Sequence, residues 1–205
     1  TARRRGTYRP SSPRPVGSHA GPVKWVKQYV DYTSKYGLGF MLNDGCSGVY
    51  FNDATKAALE QDAFHFQYIE RRKTEDEKRI ELLVGNHTLE DYPAELKKKV
   101  TLLKHFHTYL LEQQKKSGVD HRDDEAVLFS DALSPKVVYV KKWIRTKHAL
   151  LFRLSDQTIQ VVFYDQTEIL LTPDDRYITY VDKNQVRKTY NFNDQLVGGM
   201  SELEK

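Results

Sequence analysis

The chain has 205 residues, 39% hydrophobic and 29% charged, with 13 Tyr and 9 Phe, enough for one large or two small domains with a β-rich core. Its one cysteine, Cys46, excludes an internal disulfide framework and suits a reducing intracellular compartment. No apolar run approaches the roughly 18 residues of a membrane span, no signal peptide opens the chain, and a net charge of +4 does not by itself imply nucleic acid.

Residues 1–22 hold Arg3-Arg4-Arg5, Arg9, Arg14 and four prolines, too little apolar content for a core. Gly17-Ser18-His19-Ala20 reads as a cloning scar, so residues 1–16 are either a fused peptide or a native linker. A structured region follows from Val23. Phe40 to Tyr50 alternates around Asn43-Asp44-Gly45, a hairpin signal. Phe64 to Ile69 and Ile80 to Val84 read as strands on either side of a charged turn, 71–79.

A helix is expected over 91–116. Pro93 sits near its first turn, Leu96, Val100, Leu103, His107 and Leu110 share one face, and Lys115-Lys116 and Gly118 end it. Residues 117–135 are polar and acidic, and read as a linker. A second strand-rich region runs from Lys136. Its strand candidates are Val137–Val140, Leu150–Leu154, Ile159–Tyr164, Glu168–Leu171, Tyr177–Val181 and Arg187–Phe192, with a turn at Asp182-Lys183-Asn184-Gln185. Asn193-Asp194 would cap a last helix, short or truncated at Lys205.

The two regions are copies of one another. A shift of 112 residues aligns Phe40 to Tyr68 without a gap, with ten identities over 29 positions, among them Asp44/Asp156, Asp53/Asp165 and Thr55/Thr167. These three pairs are turn residues. Generic strand composition would repeat apolar positions, not hydrogen-bonding turn side chains.

Several strings then resemble one family. Trp25 to Phe40 is similar to the opening of the first polo box of Polo-like kinases, and Val49 to Thr55 and Phe66 to Arg71 to its later strands. Lys98 to Phe106 resembles the family helix, and Trp143 to Ala149 the opening of the second box. The resemblance implies an α+β fold of two polo boxes, each a six-stranded antiparallel sheet packed on an α-helix. The domains would be box 1 at 23–116, the linker at 117–135 and box 2 at 136–205. It also implies a non-catalytic domain C-terminal to a Ser/Thr kinase domain. That domain binds a Ser-phosphoSer/Thr peptide, often followed by Pro, in the cleft between boxes.

The implied cleft residues are Trp25, Val26, Tyr29, Gln166 and Glu168. The family reads phosphate with a Trp, a His and a Lys. Tyr29, Gln166 and Glu168 stand at those positions. Gln166 still donates a hydrogen bond, but Glu168 replaces a cation with an anion. It would repel a phosphate that carries about −1.5 to −2 charges. The expectation is therefore a peptide-docking module with little or no phosphate dependence. Lys27, Lys141, Lys142, Arg145 and Lys147 are candidate substitute cations. Pro10-Ser11-Ser12-Pro13 matches the ligand form, which makes Ser11, Ser12 and Pro13 a candidate docked motif within residues 1–16.

The alternatives are a homodimerisation module and an autoinhibitory partner of its own kinase domain. The expected setting is the cytoplasm and cytoskeleton, at a centrosome or basal body, or the nucleus. No cofactor, metal, nucleic acid or membrane is expected. His121-Arg122-Asp123 spells the kinase catalytic tripeptide, but Leu128 stands where that motif needs Asn. His105 and His107, two apart, point to different helix faces. Gly37-Leu38-Gly39 is too short for a phosphate cradle, and Cys46 has no nearby base. Lys97-Lys98-Lys99 reads as a solvated helix face.

Overall fold

The computed structural model describes residues 23–73, 80–116, 137–172 and 177–191. The first region forms six strands in chain order: β1 Val26–Tyr32, β2 Gly37–Leu42, β3 Ser47–Phe51, β4 Lys56–Leu59, β5 His65–Lys73 and β6 Ile80–Thr88. A 3₁₀ turn at Ala94–Leu96 leads into α1, Lys97–Lys116. The second region repeats the strands as β7 Val140–Arg145, β8 Ala149–Leu154, β9 Ile159–Phe163, β10 Glu168–Leu171, β11 Tyr177–Val181 and β12 Arg187–Asn191. Each set forms one six-stranded antiparallel meander, in the order β1 to β6 and β7 to β12.

The repeated turn residues do the same work twice. Asp44 and Asp156 accept backbone N–H bonds from Cys46 and Thr158, both at 3.0 Å. Asp53 and Asp165 accept from Thr55 and Thr167 at 3.0 and 3.1 Å. These side-chain turns let the following residue take a left-handed backbone, with φ 64° at Ala54 and 74° at Gln166. Both copies of each hairpin are built on these carboxylates.

Sheet 1 buries both faces. One face carries Val49, Phe51, Ala57, Leu59, Phe66 and Tyr68 against Val100, Leu103 and Phe106 of α1. Gly39 lets the helix approach, since a Cβ there would meet the Phe106 ring at 2.4 Å. The other face carries Leu38, Phe40, Leu42, Ala58 and Ile69 into a second core with Leu150, Phe152 and Leu154 of sheet 2. β2 is buried along its whole length because it lies between these two cores.

Some expectations shift. The helix begins at Lys97 rather than 91, because Pro93 caps the 3₁₀ turn instead. Phe106 completes its buried face; His107 lies beside that face and pairs its Nδ1 with Ser47 Oγ at 2.9 Å. The strand expected at Val137–Val140 lies later, at Val140–Arg145. Val137, Val138 and Tyr139 are buried as a plug in the core between the sheets, and Tyr139 bonds Ser155 through N–H and C=O. β1 and β4 carried no strand signal of their own. Lys99 is not a solvated residue. Its Nζ donates to Asp53 Oδ2 at 2.6 Å, Thr55 Oγ1 at 2.5 Å and Tyr68 OH at 2.7 Å. The segment 1–22, the linker 117–135 and the last helix after Asn193-Asp194 lie outside the described residues. Among the described residues, no helix is long and apolar enough to cross a membrane.

Lys99 therefore ties α1 to the β3–β4 turn. Replacing it with Met removes three charge-assisted bonds while keeping the stem. Thermal unfolding is expected to show a loss of about 1.5–3 kcal/mol; an unchanged midpoint would show that the helix docks without it.

Candidate functional site

β1 and β7 both contribute to the core between the two sheets, through Val26 and Val140. The Gln160 side chain, fully buried in β9, reaches the backbone of Val26 in β1. Its Oε1 accepts from Val26 N–H at 2.7 Å, and its Nε2 donates to Val26 O at 3.0 Å and Glu168 Oε2 at 2.9 Å. This pairs a β1 residue with a side-chain amide as if with another strand. Tyr29 then lies against Phe152, ring centres 5.5 Å apart. Further along, Asp31 of β1 forms an ion pair with Arg145 of β7. Trp25 carries the Arg187 guanidinium of β12 over its ring at 3.8 Å.

Tyr29, Glu168 and Tyr164 converge at this end. Burial, and then the negative charges of Tyr164 and Glu168, push the Tyr29 hydroxyl above its ordinary pKa, while Arg145 opposes them. Tyr29 is thus a neutral hydrogen-bonding group. Gln166 is exposed on the β9–β10 turn. Beside Tyr29 a groove of about 370 Å³ runs between β1 and α1, lined by Lys27, Gln28, Tyr29, Val30, Tyr109, Leu110 and Gln113. A cavity of about 480 Å³ lies elsewhere, between the β4–β5 turn and the approach to α1. Glu60, Asp62 and His65 gather three ligand-type atoms at that turn, and Asp62 already holds the His65 ring.

The structure distributes the proposed site residues unevenly. Val26, Tyr29 and Glu168 are brought together around Gln160. Trp25 is stacked under Arg187. Among the candidate cations, Arg145 is engaged by Asp31. Lys27, Lys142 and Lys147 are exposed, and Lys141 is half-buried. Ser11, Ser12 and Pro13 lie outside the described residues. Sequence reasoning missed Gln160, which reads there as one more polar residue in an alternating strand.

It also missed Lys56. This side chain is fully buried at the start of β4. Its Nζ donates to Ala54 O at 2.9 Å and lies 4.6 Å from the Tyr50 ring centre. Burial, then the cations Arg71 and Lys141, hold its pKa down at about 8. Cys46, by contrast, is pushed up to about 12 by burial and Asp44, which leaves it an inert thiol.

The description "POLO box duplicated region" matches residues 34–100 and 146–205. This chain belongs to the polo-box family. The polo-box region is the non-catalytic, binding part of the kinases that carry it. The chain is 42% identical over 176 residues to the probable serine/threonine-protein kinase CCRP1 of Zea mays, covering 83% of this chain and 26% of that protein. It is 35% identical over 173 residues to the serine/threonine-protein kinase PLK1 of Xenopus laevis, covering 84% of this chain and 27% of that one. The chain thus spans about a quarter of the length of these curated relatives. Two solved structures share the fold. The budding yeast Cdc5 polo-box domain with an Spc72 phosphopeptide superposes with TM-score 0.66 at 22% identity, covering 86% of this chain and 62% of that one. The same domain with the Dbf4 polo-interacting region gives 0.67 at 23% identity, covering 91% and 67%.

The polo-box interface here contains one unusual cost. Lys56 keeps a charge in a buried place beside two other cations. Between pH 8 and its ordinary value of 10.5, the unfolded chain holds a proton that the folded chain has released. Stability attributable to Lys56 therefore rises with pH across that window. Lys56→Met is expected to gain up to about 3 kcal/mol at pH 7, with the gain shrinking toward pH 10. Denaturant unfolding at both pH values measures it; a difference that stays constant with pH would contradict the charged, desolvated state.

Proposed function

We propose that this chain is the peptide-docking domain of a Polo-like serine/threonine kinase, directing the kinase to partner proteins through the Tyr29 end of the cleft between its boxes. We further propose that this end holds its peptide without reading phosphate. The observation that carries the second statement is Glu168. The family resemblance puts a lysine there, whereas this chain presents a carboxylate that accepts from the Gln160 amide and faces Tyr29. An incoming phosphoryl group would meet a like charge, and Arg145, the cation that acts on Tyr29, is engaged by Asp31.

The backbone supports docking. β1 lies at the edge of sheet 1, so a peptide can add alongside it beyond Val26, whose backbone groups Gln160 takes. Tyr29 is half-buried, and the adjoining groove supplies apolar wall from Val30 and Leu110. The solved yeast domains were crystallised with a phosphopeptide and with a polo-interacting region, and both support a peptide as the ligand class.

The test uses degenerate peptide pools with a central Ser-Thr-Pro, phosphorylated or not on Thr. Tyr29→Ala is expected to weaken both pools alike, by about tenfold, as loss of one aromatic anchor does. Gln166→His with Glu168→Lys is expected to raise affinity for the phosphorylated pool alone by about tenfold or more, the scale of one charge-assisted bond. A Tyr29→Ala loss confined to the phosphorylated pool would show that this end reads phosphate after all.

A further inference from the structure

The interface between the boxes has two ends, equivalent in strand pairing, with a lysine at one where the other has a glutamate. Tyr29 pairs with Phe40 across β1–β2 as Trp143 pairs with Phe152 across β7–β8. Lys56 opens β4 as Glu168 opens β10. Ala54 and Gln166 precede them by two residues, both with positive φ. Where one end presents Tyr29, Gln166 and Glu168, its mate has Trp143, Ala54 and Lys56 at the corresponding places.

The groups around Lys56 are cationic. Ile69 lies opposite Lys56 across β4–β5, and Arg71, two residues on, shares its face. Lys141 enters from the bulge at the start of β7. Tyr50 covers the ammonium from β3, and Tyr139 is buried close to Arg71. Asp53 is the carboxylate that acts on Lys56 from its own turn, but its oxygens are taken by Lys99 and Thr55. Among the described residues, none of Lys56, Arg71 and Lys141 has a carboxylate partner. Closure differs too. The residue matching Gln160 is Gly48, where a Cβ would strike the Phe40 ring at 2.4 Å, so no amide closes over this end.

Three converging cations, one of them desolvated, cost folding energy and return no ion pair. An anion repays that arrangement. We propose that this second end of the interface is an oxyanion subsite, in which Lys141 and Arg71 grip a phosphoryl group of a docked peptide above the buried Lys56 ammonium. The Arg71 fork suits two phosphoryl oxygens, and the lysines supply point charge. The peptide as ligand rests on the docking function proposed above; the anion site itself does not.

The experiment has two arms on the 205-residue chain. Inorganic phosphate is titrated at constant ionic strength while the Lys56 side-chain Cε–Hε NMR signal is followed. A saturable shift is expected, with the Lys56 titration midpoint rising by about one pH unit, as a close opposite charge produces. Arg71→Glu with Lys141→Glu, both away from full burial, is expected to weaken phosphate binding about tenfold or more, and Glu168→Gln not at all. In the second arm the wild type is expected to retain the phosphorylated Ser-Thr-Pro pool about tenfold better than the unphosphorylated one, and the Arg71/Lys141 variant to lose that preference. A Lys56 signal that phosphate leaves unmoved would overturn the proposal. So would an Arg71/Lys141 variant that binds like wild type, or a phosphate response that follows Glu168 instead. If phosphate binds at Lys56 and neither pool binds, the docking function fails and the anion subsite stands.

Discussion

The pairing of the Gln160 side-chain amide with the backbone of Val26 is the constraint on which the interface rests. A buried amide that left its donors and acceptor unmade would cost about 1–3 kcal/mol per group. Gln160 satisfies three of its four sites, two on Val26 and one on Glu168. Val26 in turn sets the path of β1, because the strand pairs with Leu42, is irregular at Lys27 and resumes at Gln28 opposite Met41. Once β1 is held there, Tyr29 must fall on Phe152 and Asp31 must reach Arg145. The placement of Tyr29, the proposed aromatic contact, thus follows from a side chain, Gln160, that lies beneath it in the second box.

That constraint is not repeated at the other end. A duplication gives both boxes the same turns, sheets and aromatic positions, yet it leaves the side chains at the interface free to differ. Gly48 stands for Gln160, Lys56 for Glu168 and Trp143 for Tyr29. Asp31 and Arg145, which hold matching places in β1 and β7, have diverged into opposite charges and pair with each other across the interface. The result is a scaffold whose two copies repeat the same strand pairings and differ in charge at Lys56 and Glu168. One end carries Glu168 and is closed by the Gln160 amide, the other carries Lys56 and has no such closure. An asymmetric ligand with one anionic group has one favoured direction on such a surface.

Much of the scaffold was legible in the sequence, because its signals are local. Asp44, Asp53, Asp156 and Asp165 announce turns that need a carboxylate accepting a backbone N–H two residues on, and the 112-residue shift repeats them. The helix was legible from Leu96 to Leu110 for the same reason. β1 and β4 were not. β4 is four residues long with a lysine at its head, and β1 alternates poorly because one of its faces meets a second sheet rather than solvent. Val137 to Tyr139 looked like a strand because it is apolar and β-branched, and tertiary packing uses it as a plug instead. Of the site, Tyr29, Gln166 and Glu168 were found through a resemblance tied to particular positions. Gln160 and Lys99 were missed because their hydrogen-bond partners are distant in sequence, and Lys56 because a lysine at the head of a short strand gives no sign of its burial. Gln160 and Val26 are 134 positions apart.

The most direct test of this account is hydrogen exchange at the Val26 amide. In the wild type, Val26 N–H should exchange as slowly as Ile69 N–H in the middle of sheet 1, since both are bonded in buried places. In Gln160→Leu, the Val26 amide should lose about tenfold or more of its protection while Ile69 keeps its own. Unchanged protection at Val26 in that variant would contradict the claim that the Gln160 amide holds β1 across the second box.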